Sequence, residues 1–180
     1  MSKVLVYNGF MSIESILSGG NPRTFGKTDE VVSDVLKNHS KLKELFECLY
    51  SDDEIVRMRA GDALEKICRQ EPKWFDPYIE RLLQEVSKID QPSVQWHLAQ
   101  ILGGLQLSQS QKSRAVEILK RNIESSTDWI VLNNSLEVFA QFARDDTKLL
   151  PYFMGQLSRH SNSRHKSVAK RAGKLLAAFD

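Results

Sequence analysis

Two cysteines in 180 residues are too few for a disulfide framework or a four-cysteine metal site. Cys68 follows Leu64 and Ile67 on one apolar helix face, which reads as a buried thiol. No run of about 18 apolar residues exists, so no membrane-spanning helix is expected. The first twenty residues hold one lysine, and Asn8, Gly9 and Glu14 interrupt their apolar stretches, a poor match to a secretory leader; a cytoplasmic location is the default expectation. Sustained period-two alternation is also lacking, and Val4–Tyr7 is too short to require a strand. With 41% hydrophobic and 27% charged residues, the composition is that of a folded globular chain.

Chemistry-bearing motifs are equally sparse. Gly20 to Thr28 looks like a phosphate-binding loop, but five residues separate Gly20 from Gly26-Lys27-Thr28 where that motif needs four. No strand leads into it to aim backbone amides, so a capped loop before a helix at Asp29 is the better reading. His39, His97, His160 and His165 form no metal-ligand spacing, and the last two are read as solvated in a basic end. No Gly-x-Ser-x-Gly elbow occurs, and neither cysteine has a base partner. No catalytic, cofactor-binding or metal-ligating residue is assigned, and no cofactor is expected.

What is present is repetition. VRMRAGDAL (Val56–Leu64), VQWHLAQIL (Val94–Leu102), VLNNSLEVF (Val131–Phe139) and VAKRAGKLL (Val168–Leu176) start 38, 37 and 37 residues apart. Their first, fifth, eighth and ninth positions are small or apolar, one stripe on a helix. Between them lie Leu42/Leu45/Phe46/Leu49, Tyr78/Ile79/Leu82/Leu83/Val86, Val116/Ile118/Leu119/Ile123 and Leu149/Leu150/Phe153/Met154/Leu157, each a second stripe. The unit is a helical hairpin of about 37 residues, which cannot bury its stripe without a neighbour. Turn signals agree: Ser51–Glu54 and Ser108–Gln111 have capping-box spacing, Asp76-Pro77 suits a cap followed by a first-turn proline, and Pro92 and Pro151 fall near helix starts.

Asp52/Asp53, Val56-Arg57, Ala60 and Ala63-Leu64 resemble the HEAT repeat, whose turn and second helix read Asp-x-x-Val-Arg-x-x-Ala-x-x-Ala-Leu. The likeness covers about residues 29–180 and loosens along the chain, where Gln95, Leu132 and Ala169 replace Arg57. The whole chain resembles small bacterial HEAT-type proteins with no assigned activity. The resemblance implies an all-α solenoid of about four hairpins over 29–180, residues 1–28 being an N-terminal extension. It also implies a non-catalytic scaffold binding a protein partner on the concave face of its second helices. Arg57 resembles the HEAT arginine that pairs with a turn aspartate, here Asp52, Asp53 or one in the next repeat.

Helical geometry places Met58, Trp96, Asn133 and Lys170 in an outward row, with Asp62, Gln100, Glu137 and Lys174 one turn on, and Glu65 and Arg69 also outward. Met58, Trp96, Gln100, Asn133, Lys170 and Lys174 are the candidate partner-binding residues. Trp96 is either an interface anchor or a side chain covered by a loop or by the N-terminal segment. Trp74 and Trp129, at helix starts, read as packing residues. Arg59, His97, Asn134 and Arg171 occupy a flank that a polar ladder between repeats explains as well as binding does. Residues 155–180 carry six bases and one acid, giving +5 against −3 for the rest. That end is either a solvated cap or a surface for an acidic or nucleic-acid partner. The alternative function is accordingly nucleic-acid binding. HEAT-like alkylbase DNA glycosylases are a family relation in which Trp96, Asp62, Glu137, Lys170 and Lys174 would mimic the groove; bilin-attaching lyases are another, with no matching residues.

Overall fold

The computed structural model describes residues 11–21 and 24–179; Val4–Tyr7 falls outside them. Among the described residues every regular element is helical. The chain divides into two compact units, Met1–Trp74 and Phe75–Asp180.

The first unit holds α1 (Ile13–Leu17), α2 (Thr28–Lys37), α3 (Leu42–Glu47) and α4 (Glu54–Gln70). The apolar spacing of α4 drives the packing. Val56, Ala60, Ala63, Leu64 and Ile67 are all fully buried, and α4 meets α1, α2 and α3. Full burial of one such leucine or isoleucine contributes about 1.5–3 kcal/mol. Asp53 caps α4, accepting from the Ile55 amide at 2.8 Å. The box expected from Ser51 therefore does not form; Ser51 instead accepts from the Asp53 amide and orients the cap. Arg57 donates to the Ser51 and Asp52 carbonyl oxygens at 2.6 and 3.2 Å, which locks its own turn.

The second unit holds α5 (Ile79–Gln84), α6 (Pro92–Gly104), α7 (Gln109–Ser125), α8 (Trp129–Asp145), α9 (Leu150–His160) and α10 (Lys166–Phe179). Helices α7 and α8 form one hairpin and α9 and α10 another; α6, α8 and α10 pack side by side as one layer. Val94, Leu98, Leu102, Val131, Leu136, Phe139, Val168 and Ala172 fill the interior. Gly103 lets α6 approach α8 closely, since a Cβ there would lie 3.0 Å from the Val138 methyls. Ser108 and Gln111 complete the expected capping box of α7. Pro92 opens α6 and Pro151 lies in the first turn of α9. Pro77 differs: it sits inside a 3-10 turn, Pro72–Tyr78, and α5 begins only at Ile79. Gln95, which replaces the repeat arginine, keeps its task by donating to the Ile89 carbonyl at 2.7 Å.

Candidate functional site: a basic groove beside Trp129

Each repeat's second helix starts two residues before its leading valine: Glu54, Pro92, Trp129 and Lys166. The outward rows thus fall on equivalent positions, yet they meet different surroundings in the two units.

In the first unit the row is covered. Asp62 and Glu65 were expected to face outward but are 7% and 9% exposed. Residues 17–21 and 24–29 lie over this side of α4. Lys66 pairs with Asp62 at 2.8 Å and with Asp29 at 2.7 Å, and its ammonium stands over the Phe25 ring. Burial pushes the Asp62 carboxyl up, against the pull of Lys66. Glu65 is held by Arg69. Arg59, 1% exposed, donates to the carbonyl oxygens of Leu17 (2.6 Å), Gly19 (2.7 Å), Asn21 (3.0 Å) and Thr24 (3.2 Å). This loop is the segment that looked like a phosphate cradle. Its polarity is the reverse of a cradle, because carbonyl oxygens converge on a cation where a phosphate site would aim amides at an anion. Positive φ values at Gly19, Gly20 and Gly26 make the wrap possible, and a Cβ on Gly26 would stand 2.8 Å from the Arg59 Cζ.

In the second unit the row stays open along α8 and α10. Trp129, Asn133 and Glu137, four residues apart on α8, face Ser167, Lys170, Arg171, Lys174, Leu175 and Ala178 of α10 across a groove of about 620 Å³. Arg144 closes the far end, its guanidinium over the Phe179 ring at 5.3 Å. Trp129 is 46% exposed, so it is not the packing residue expected. Trp74 does pack, its ring 4.3 Å from that of His39. Glu137 pairs with Arg171, leaving Asn133, Lys170 and Lys174 as the other polar groups along the middle of the groove. The Asn133 Oδ1 is itself buried and makes no hydrogen bond.

Of the six candidate residues, the groove brings together Asn133, Lys170 and Lys174. Trp96 and Gln100 are half-buried on α6 and do not line it, and the Trp96 ring lies 5.3 Å from that of His97. Met58 is half-buried in the first unit. Sequence reasoning read Trp129 as a packing residue and did not single out Arg144. Extending the outward row one turn back from Asn133 reaches Trp129, so its signal was available.

The remaining candidate chemistry is occupied by structure. His97 is 5% exposed. His160, expected in solvent, is 9% exposed, its Nε2 3.0 Å from the Ile123 carbonyl oxygen, and burial holds its pKa below the usual value. Burial pushes the Cys48 and Cys68 thiols up to about 12, which removes them as nucleophiles near neutral pH. Among the described residues no helix is long and apolar enough to cross a membrane.

Hairpins whose second helices pack as a layer define an all-α repeat protein of the solenoid class. The HEAT repeat domain family matches residues 21–119, more than half of the chain. The chain belongs to that family, whose members are helical repeat scaffolds that often bind proteins. A search of curated proteins gives no match.

Proposed function

We propose that the chain is a non-catalytic scaffold that holds a protein partner in the groove between α8 and α10. The observation that carries this reading is Trp129, a large aromatic left 46% exposed at one end of a groove with polar walls. Tryptophan is enriched among the residues that dominate binding energy at interfaces, and it tends to sit beside polar groups that orient the partner. Leu175 and Ala178 add apolar floor, and Asn133 lies in the facing wall.

The lysines of α10 also suit a nucleic acid, which is the second reading. It is weaker because the α8 wall offers Trp129, Asn133 and the carboxylate of Glu137 before any cation, and a phosphate backbone wants Lys or Arg on both sides. The glycosylase relation loses its residues. Asp62 is buried against Lys66 in the first unit, and Glu137 is engaged by Arg171.

A photo-crosslinking amino acid at position 133 tests the proposal in native lysate. The expected product is a discrete protein adduct that disappears with Trp129→Ala. Adducts to nucleic acid alone, or none, would overturn it.

A further inference from the structure

We infer that the groove recognises an acidic segment of its partner, lying extended along α10 with an apolar residue against Trp129. This rests on the protein-binding reading above and adds the partner's chemistry.

Helix α10 carries Lys166, Lys170, Arg171 and Lys174 and no acid between Lys166 and Phe179. Lys166, Lys170 and Lys174 are spaced four apart, so they form one stripe. Among the described residues, the acid that pairs with this set is Glu137, and it pairs with Arg171. Lys166 lies in the first turn of the helix, where the positive end of the macrodipole disfavours a cation. Neighbouring lysines four apart also repel one another. Helix α10 therefore carries an arrangement that lowers its own stability, the kind of local inconsistency that marks a functional surface. An anionic segment removes both penalties on binding.

Spacing supports the same occupant. Successive lysines of the stripe rise about 6 Å along the helix axis. Alternate residues of an extended peptide are about 6.6 Å apart, so a carboxylate at every second residue matches the lysine spacing. From Trp129 to Arg144 the groove runs about 22 Å along α8, room for about seven extended residues. Arg144 provides a further cation at the far end and Trp129 the apolar stop at the near one.

The test is fluorescence anisotropy on the full chain with a labelled peptide of about seven residues, glutamates alternating with alanines and one terminal leucine. Controls are the same peptide with lysine for glutamate and a labelled oligothymidylate. The expected result is salt-sensitive binding of the acidic peptide alone, weakened about tenfold or more by Lys170→Glu with Lys174→Glu. Both lysines are exposed, and Lys170→Gln with Lys174→Gln, which adds no acid, should weaken it by less. Trp129→Phe should abolish the peptide-induced change in tryptophan fluorescence. No binding of the acidic peptide, equal binding of the lysine peptide, or tighter binding of oligothymidylate overturns the inference. A protein adduct at position 133 with no acidic-peptide binding overturns this inference and leaves the protein-binding reading standing.

Discussion

Arg59 and Arg171 stand at the same place in two copies of one repeat, each opening the tripeptide Arg-Ala-Gly, and they end in opposite environments. Arg59 is sealed under the loop between α1 and α2, its guanidinium divided among four backbone carbonyls. Arg171 lies at the rim of an open groove, paired with Glu137, and 40% of each side chain is exposed. The local triplet does not decide between these fates. The difference is what the chain lays over the helix: a glycine-bearing loop in the first unit, and in the second an open groove lined by Trp129 and the lysines.

The largest expected effect is at Arg59. Removing the guanidinium leaves four carbonyls without their charged donor, and hydrogen bonds to charged groups contribute about 1.5–3 kcal/mol each, not additively. Arg59→Ala is expected to destabilise the first unit by at least about 3 kcal/mol in urea unfolding, whereas Arg171→Ala should cost at most about 1 kcal/mol, as exposed ion pairs do. Equal losses at the two positions would erase the contrast.

The glycines sharpen it by sign. Gly26 has φ +54° and no room for a Cβ beside Arg59, so Gly26→Ala is expected to cost about 1–3 kcal/mol. Gly173, inside α10, has no atom within 4 Å of an added Cβ, so Gly173→Ala should stabilise by about 0.5–1 kcal/mol. Thermal melts of the two variants moving in the same direction would contradict this account.

A smaller effect concerns pH. An unfolded histidine binds its proton near 6.5, and burial holds folded His160 below that, helped by the nearby Arg159 charge. Between the two values the unfolded chain binds more protons, so this contribution is intact above 6.5 and is lost as pH falls through the window. Moving from about pH 7.5 to about pH 5.5 should lower the Tm of the wild type more than that of His160→Gln. An equal drop in both would remove His160 from the account.

The register of the repeats was legible because burial enforces a period: Val56, Val94, Val131 and Val168 are each buried two residues into a helix. The turn-locking role of Arg57 was legible as well, and the Ser51 and Asp52 carbonyls are two of the acceptors through which it acts. The cover over α4 was not. Arg59 meets Leu17 and Thr24 across 42 and 35 residues, through backbone acceptors that leave no pattern in side-chain type. For the same reason Asp62 and Glu65 looked solvent-facing. The wheel is right about their direction from the α4 stripe and silent about what folds across it. Half of the candidate row, Asn133, Lys170 and Lys174, lines one groove because α8 and α10 are neighbours. Trp129 was misread because a helix start suggests packing, while its spacing to Asn133 and Glu137 points to the groove.

The contrast between covered and open faces is tested most directly by arginine modification with phenylglyoxal, read by peptide mass spectrometry. Arg171 and Arg144 are expected to react quickly and Arg59 to stay protected until the first unit unfolds; bound acidic peptide should protect Arg171 and Arg144 and leave Arg59 unchanged. Modification of Arg59 as fast as Arg171 in the folded chain would contradict the account.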